Sequence, residues 1–339
     1  MTVALEKQRV SMEVPPGYEL IACPLCGGTR SEIVLRGGDR VLQEKIELTI
    51  VRCADCKLCF LNPRPLSSRL GLYYPENYHA HRTQKGDVVG DKTSVRIRKL
   101  LLRQLYARPE HKPSGAASAL ASAMLAMRGS DRLGAGLPVR SEGKLLDFGC
   151  GHGKLLRRMK EAGWDVVGLD FSEQAVAAVR AGGLTAYQGT LPHPELTSNS
   201  FDAVVMEHAL EHVPDPLGVL RAARDVLRPG GALLVHVPNF NAWEVQHFGE
   251  FAIQVDLPRH LLHFERATLQ TMLETAGFCD VTTETRPRRG SVRQSINLAR
   301  RGGEKIPRWM NLATVHRLIC RRNRNTDRGS DLIATATRS

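Results

Sequence analysis

Residues 145–156 read LLDFGCGHGKLL. Lys144 to Phe148 has the apolar run of a buried strand. Lys154 to Ala162 has the spacing of a helix, and Gly163 ends it. Between them Asp147, Gly149, Gly151 and Gly153 form the spacing D-x-G-x-G-x-G. Glycines here let the backbone turn tightly and let a ligand come close to the chain. The spacing also discriminates between ligands. A dinucleotide loop uses G-x-G-x-x-G and admits a pyrophosphate at the helix N-terminus. Here the third glycine comes one residue early, and an acid precedes the first. Asp147 repels a pyrophosphate and suits a ligand with a cationic end.

Strands and helices alternate outward from this loop. Asp165 to Leu169 reads as a strand. Glu173 to Ala181 reads as a helix, with Ser172 as N-cap and Gly182 past its end. Thr185 to Gln188 and Phe201 to Met206 read as strands. Pro216 to Leu227 is a helix with Asp215 as N-cap and Pro216 at its first position. The RPGG turn at Arg228 to Gly231 leads into a strand, Ala232 to Val237. A helix (Ala267 to Ala276), a strand (Phe278 to Thr285) and a last strand (Asp331 to Thr335) complete the pattern. Such alternation implies a parallel sheet with helices on both faces. Asp170, at the end of the second strand, is placed to accept hydrogen bonds from two ribose hydroxyls. Capping the next helix is the alternative, and Ser172 fills that role better.

The stretches LLDFGCGHGKLL, VVGLDFS, FDAVVMEHALEHVPDP and LRPGGALLVHVPN follow one another in this order. Together they resemble the class I S-adenosylmethionine-dependent methyltransferases. The resemblance implies an α/β fold: a Rossmann-like sheet of seven strands whose last strand is antiparallel. It implies S-adenosyl-L-methionine as cofactor and S-adenosyl-L-homocysteine as product. It places Asp147, Gly149, Cys150, Gly151, His152 and Gly153 around the methionine part. Asp170, with Phe171 beside it, falls on the ribose. Gly189, Thr190 and Leu191 fall beside the adenine, and Glu207 and His208 beneath the cofactor. The family often has an Asp at the adenine position, where this chain has Thr190.

The chain has eight cysteines, and five of them fall between Cys23 and Cys59. In an intracellular chain such clustering argues for metal rather than disulfides. Cys23-Pro-Leu-Cys26 and Cys53-Ala-Asp-Cys56 are paired C-x-x-C knuckles, which supply four tetrahedral thiolates to one structural zinc ion. Cys59 reads as a spectator. The stretch CKLCFLNPRPLSSRLGLYYPENY is similar to methyltransferases that carry an N-terminal zinc ribbon, sugar C-methyltransferases of antibiotic-sugar pathways among them. That resemblance implies that Tyr73, Tyr74 or Tyr78 faces the substrate, with Tyr78 favoured and Tyr74 next. Core packing is the alternative for at least one of the three.

Methyl transfer to a hydroxyl or a carbon acid needs alignment and a base. Two histidines follow the strands where the sheet opens on the cofactor: His212 in HALEHVPDP and His260 in VDLPRHLLHFERATL. A neutral imidazole suits the task near pH 7. The ribbon-bearing sugar C-methyltransferases tend to have a Tyr and a Glu just before the equivalent of His260. This chain has Leu257 and Arg259 there, which argues against carbon as the acceptor. Arg259 is read as a clamp for a substrate carboxylate or phosphate. An ion pair with Asp256 that shapes the loop is the alternative. Asn239 and Asp256 complete the expected substrate contacts. His236 and His263 read as structural.

Apolar residues make up 42% and charged residues 24%, the balance of a globular protein, and the formal charge is +12. Basic residues cluster at Arg96 to Arg108 and at Arg286 to Arg328. Such surfaces suit nucleic acid, an anionic membrane face or a phosphorylated substrate, or are simply solvated. No aromatics interleave with them as in single-strand binders. No apolar run is long enough for a transmembrane helix, and the N-terminus lacks the pattern of a secretory signal, so a cytoplasmic protein is expected. The organisation reads as a zinc module with a Tyr-rich segment (1–85), a helical connector (86–142) and a cofactor domain (143–339) with inserts at 239–265 and 286–329. The functional reading is O-methylation of a polar or sugar-derived natural-product scaffold. C- or N-methylation of a small molecule, and an rRNA or tRNA methyltransferase with a zinc module, are the alternatives. A non-catalytic cofactor-binding protein is opposed by the intact loop and by Asp170.

Overall fold

The computed structural model describes residues 14–40, 46–74, 114–128, 143–288, 290–323 and 326–339. Tyr78, the first basic cluster and most of the connector lie outside the described residues.

The N-terminal part forms β1 (Tyr18–Glu19), β2 (Ser31–Gly37), β3 (Leu48–Cys53), β4 (Cys59–Leu61) and β5 (Arg64–Pro65), then a 3-10 turn at Ser67–Tyr73. Within the connector, Gly115–Arg128 forms α1. The remainder runs β6 (Lys144–Phe148), α2 (Lys154–Glu161), β7 (Asp165–Asp170), α3 (Glu173–Ala181), β8 (Thr185–Gln188), β9 (Phe201–Glu207), α4 (Pro216–Val226) and β10 (Leu227–Pro238). It continues as α5 (Trp243–Phe248), β11 (Leu262–His263), α6 (Arg266–Thr275), β12 (Phe278–Arg286), α7 (Ser291–Arg301), α8 (Ala313–Arg322) and β13 (Asp331–Arg338).

One sheet has seven strands in the order β12-β13-β10-β9-β6-β7-β8. The five strands from β10 to β8 are parallel. β13 is antiparallel to both β10 and β12. The sequence expectation of a last antiparallel strand therefore holds. Strand side chains alternate between faces. Leu146 and Phe148 accordingly join the larger core, and Leu145 packs with Leu156, Met159 and Trp164 on the other face. The expected caps form: Ser172 Oγ accepts from Ala175 N at 3.3 Å, and Asp215 Oδ1 from Gly218 N at 3.0 Å. β10 starts earlier than its apolar run suggests. Leu227 already pairs with Phe201, and the RPGG segment bulges before the ladder resumes at Ala232.

The second sheet has the order β11-β4-β3-β2, so its fourth strand comes from the segment after β10. Leu262 pairs with Phe60, and His263 with Cys59. Two arginines fasten the same junction. Arg40 donates to the carbonyls of Ala252 and Val255. Arg259 donates to Asp39 Oδ1 at 3.1 Å and to the Tyr73 carbonyl at 3.3 Å. One apolar cluster runs through Ile50, Phe60, Leu61 and Tyr73 into Leu261, Leu262, Phe264, Val235 and Met206. The cysteine module thus shares a core with the large sheet. Among the described residues, no helix is long and apolar enough to cross a membrane.

Candidate active site

The glycine loop leaves β6 with Gly149, Gly151 and Gly153 all at positive φ, which L side chains rarely adopt. Gly149 is fixed by space as well. A Cβ there would lie 2.6 Å from Ala209 Cβ, in the loop after β9. The loop is tied to the end of β7. Gly149 N donates to the Leu169 carbonyl at 2.7 Å, and Gly151 N to Asp170 Oδ2 at 2.8 Å. Asp170 Oδ1 accepts from Ser172 N at 2.9 Å, and its carbonyl accepts from Gly189 N at 2.9 Å. Asp170 is therefore the hub that joins the glycine loop, the start of α3 and the adenine-side turn. Each carboxylate oxygen retains lone-pair capacity for a further donor.

Asp147 is 3% exposed. Burial pushes its pKa well up, and the negative charges of Glu207 and Asp170 push it the same way. Three neighbouring carboxylates disfavour an anionic ligand and favour one with positive charge. Burial also raises the pKa of the Cys150 thiol. Thr190 is exposed and Leu191 is buried. His208 takes a positive φ of 51°, unusual for a side chain of its size. Its N–H donates to the His236 carbonyl at 2.8 Å.

A second cluster lies beside the Asp170–Phe171 corner. Tyr74 stands edge-on to Phe171, with ring centroids 5.0 Å apart. Its hydroxyl is 3.0 Å from His212 Nδ1, which is also 2.9 Å from the Arg259 carbonyl. The His212 and His260 rings meet edge to face at 4.8 Å. His260 Nδ1 is 2.8 Å from the Gln254 carbonyl. Burial, with the neighbouring His212, pushes the His260 pKa down to about 4, so the ring is neutral at pH 7. Burial likewise lowers His263 to about 3. The Tyr74 hydroxyl is pushed up by burial.

Glu211 also belongs to this cluster, and its sequence context alone does not mark it. It is 1% exposed, and its Oε1 lies 3.3 Å from His208 Nδ1. Burial opposes its ionisation, but the His208 bond and the nearby His212 outweigh that and hold its pKa at about 2. One ligating atom each from Glu211, His212 and His260 lies within 4.8 Å of the others. The available signal was the pair Glu211-His212 on the turn after β9, three residues beyond His208.

Three residues expected at the substrate have other work. Arg259 is fully buried, and its guanidinium is engaged by Asp256 at 2.7 and 2.9 Å, by Asp39, and by the Tyr73 and Leu257 carbonyls. Asp256 is held well below the usual carboxylate range: burial opposes this, and Arg259 prevails. The ion pair that shapes the loop is thus formed between the two. Asn239 is also fully buried. It donates to the Asp327 and Gly329 carbonyls and accepts from Asn241 N at 3.0 Å, which joins the ends of the two inserts. Tyr73 is a core residue, hydrogen-bonded at 2.8 Å to the Tyr18 hydroxyl.

Cys23, Cys26, Cys53 and Cys56 converge, with Sγ separations of 3.4 Å (Cys23–Cys56) and 3.5 Å (Cys26–Cys53). Tetrahedral zinc with bonds of about 2.3 Å spaces its sulfurs by roughly 3.8 Å, so the four fit with small adjustment. The two knuckles share a backbone turn: Gly27 N donates to the Cys23 carbonyl and Lys57 N to that of Cys53. Gly27 and Lys57 both have positive φ. Cys59 lies in β4, outside the cluster.

The strand order, the glycine loop and its carboxylates define a cofactor-binding α/β enzyme fold of the class I methyltransferase kind. The family model described as a methyltransferase domain matches residues 101–283. The chain belongs to that family, the S-adenosylmethionine-dependent methyltransferases. It is similar to ubiquinone biosynthesis O-methyltransferase of Aliivibrio fischeri, 37% identical over 105 residues, which cover 29% of this chain and 45% of the relative. The enzyme of the same description from Haemophilus ducreyi is 33% identical over 150 residues, 40% of this chain and 63% of the relative. The chain thus spans about half the length of the curated relatives it matches. Among solved structures it is similar to an S-adenosylmethionine-dependent methyltransferase from Archaeoglobus fulgidus (21% identity, TM-score 0.42, 65% of this chain and 93% of that one). Another is phosphoethanolamine N-methyltransferase 2 of Haemonchus contortus (18% identity, TM-score 0.45, 88% of this chain and 65% of that one).

Proposed function

We propose that the protein methylates a hydroxyl oxygen of a small, polar biosynthetic intermediate, with a sugar-derived or related natural-product scaffold as the substrate class. The observation that carries this reading is the cluster of Tyr74, Glu211, His212 and His260 beside the glycine loop. S-adenosyl-L-methionine supplies a methyl group already activated on a sulfonium. What the chain must add is alignment and removal of the hydroxyl proton. Asp147 and the glycine loop hold the methionine end, where an acid complements its positive charge. Asp170 binds the ribose hydroxyls with the lone pairs left after Gly151 N and Ser172 N. Phe171 and Leu191 flank the nucleoside, with Thr190 at the adenine edge. Tyr74 closes the pocket from the N-terminal side and sets the ring of His212. Proton removal falls to the Glu211–His212–His260 cluster. The O-methyltransferase names of the sequence relatives favour oxygen over carbon or nitrogen.

One zinc ion on Cys23, Cys26, Cys53 and Cys56 holds the module that carries Tyr73 and Tyr74 in place. With four thiolates the site has no open position, so its part is structural. Atomic absorption is expected to find one zinc per chain, and none in a folded preparation counts against this assignment.

The activity is tested with cofactor carrying a labelled methyl group, incubated with the protein and with cell extract separated into RNA and small-molecule fractions. Label in a small molecule, located on oxygen by mass spectrometry, is the expected result. Label in RNA overturns the substrate class. Tight cofactor binding with no label anywhere overturns methyl transfer itself.

A further inference from the structure

We infer that the 3-10 turn at Arg308–Asn311 and helix α8 form a docking surface for an anionic lipid bilayer. The inference stands on this surface alone and does not depend on the methyl-transfer reading.

The insert between β12 and β13 contains α8 (Ala313–Arg322), a helix of 10 residues with no buried side chain. A helix this short is marginal in water and draws its stability from an apolar face packed on a neighbour. The side chains of α8 divide by helical period. Val315, His316, Ile319 and Cys320 are half-buried, and Ile319 packs on the main core, as do Ile306 and Met310. Ala313, Thr314, Arg317, Leu318, Arg321 and Arg322 form the opposite, exposed face. The preceding turn is tied to the helix. His316 Nε2 lies 2.6 Å from the Met310 carbonyl, and the Leu312 carbonyl accepts from Val315 N and His316 N.

Three large apolar side chains stand in solvent on this short stretch: Trp309 is 58% exposed, Leu312 54% and Leu318 66%. One such residue needs no explanation, but three crowded onto a turn and the helix it precedes point to an apolar partner. Six exposed cations accompany them, Arg301, Lys305, Arg308, Arg317, Arg321 and Arg322, and the one acid between Arg301 and Arg322 is Glu304. Among the described residues none of the six forms an ion pair, whereas Arg286 and Arg288, just before the insert, pair with Glu284 and Asp331. The helix dipole accounts for Arg321 and Arg322 in the last turn. It does not account for Arg301, Lys305 and Arg308, nor for the apolar side chains.

An anionic bilayer satisfies both halves of the surface. Its negative potential attracts Lys and Arg, and its interface takes up the apolar side chains of a helix lying in its plane. Trp suits that boundary, with an apolar ring and an N–H that stays in the polar layer. An RNA backbone would meet the charges and leave Leu312 and Leu318 in water. A second copy of this chain would set these cations against their own kind.

The test is co-sedimentation of the whole chain with vesicles of equal parts phosphatidylglycerol and phosphatidylcholine. Pure phosphatidylcholine vesicles and total tRNA are the comparisons. Saturable binding to the anionic vesicles, weakened by salt, is expected. Replacing Arg317, Arg321 and Arg322 together by Gln should weaken it by about 100-fold, since each cation near such a surface contributes about fivefold. Leu318→Ser should weaken it by about tenfold. These positions are exposed, and circular dichroism checks that the variants fold. Tryptophan emission locates the contact, because Trp164 is buried and Trp243 half-buried. The blue shift on binding should vanish in Trp309→Phe while binding persists. No binding to the anionic vesicles, with or without binding to tRNA, overturns the surface. So does equal binding to pure phosphatidylcholine, binding that ignores the triple substitution, or a blue shift retained in Trp309→Phe.

Discussion

The glycine loop and the histidine cluster lie side by side, joined through Tyr74 and Phe171, yet they are built in opposite ways. The loop is local: Asp147, Gly149, Gly151 and Gly153 lie within one strand-turn-helix, and Asp170 closes it from the next strand. Its geometry follows from backbone conformation at glycine. The cluster is assembled from three distant segments: Tyr74 before the connector, Glu211 and His212 after β9, and His260 just before β11. His208 holds Glu211 and the Gln254 carbonyl holds His260 within their own segments, but no one segment brings these side chains together. The junction between the cysteine module and the 239–265 insert does so, through the β4–β11 pairing and the buried Arg259. Changes to the loop should therefore affect the cofactor alone. Changes to the junction should affect stability and chemistry together.

The largest effect is expected at that junction. Arg259→Met removes the cation bonded directly to Asp39 and Asp256 and leaves Arg40 as the positive charge near them. Breaking a buried pair in this way costs about 3–5 kcal/mol. Urea denaturation should show that loss, and a change under about 1 kcal/mol would mean that the clamp does not hold the module. Next in size is Asp170→Ala. Hydrogen bonds to charged groups contribute about 1.5–3 kcal/mol, so cofactor affinity should fall by more than about tenfold. Calorimetry that finds unchanged affinity removes Asp170 from the cofactor site. The smallest effect is expected from Tyr74→Phe, which deletes one hydroxyl near His212 and keeps the ring against Phe171. About 1 kcal/mol corresponds to roughly fivefold slower turnover. Cofactor affinity should stay within about twofold; a larger loss there, with turnover unchanged, would place Tyr74 on the cofactor side of the comparison.

The same division governs what the sequence discloses. Strands β6 to β9 and their helices are legible because apolar period, glycine and cap residues act within a few residues of one another. Ser172 and Asp215 cap the helices that their positions suggest. β11 is not legible. It has two residues, and its partner lies in another module. Arg259 misleads for a related reason. Beside a histidine in a loop, an arginine reads as a substrate clamp, and only burial with Asp39 and Asp256 shows otherwise. Glu211 has the converse history. It stands in the quoted stretch HALEHVPDP, but its importance comes from His260, which joins it only in three dimensions.

The shared strand also bears on synthesis. Residues 59–61 are made about 200 residues ahead of their partner, which at about 5–20 residues per second is a delay of roughly 10–40 s. Until Leu262 and His263 leave the ribosome, the outer edge of β4 has no native partner. An open strand edge is a template for wrong pairing. The cysteine module is thus made well before the strand that seals its edge.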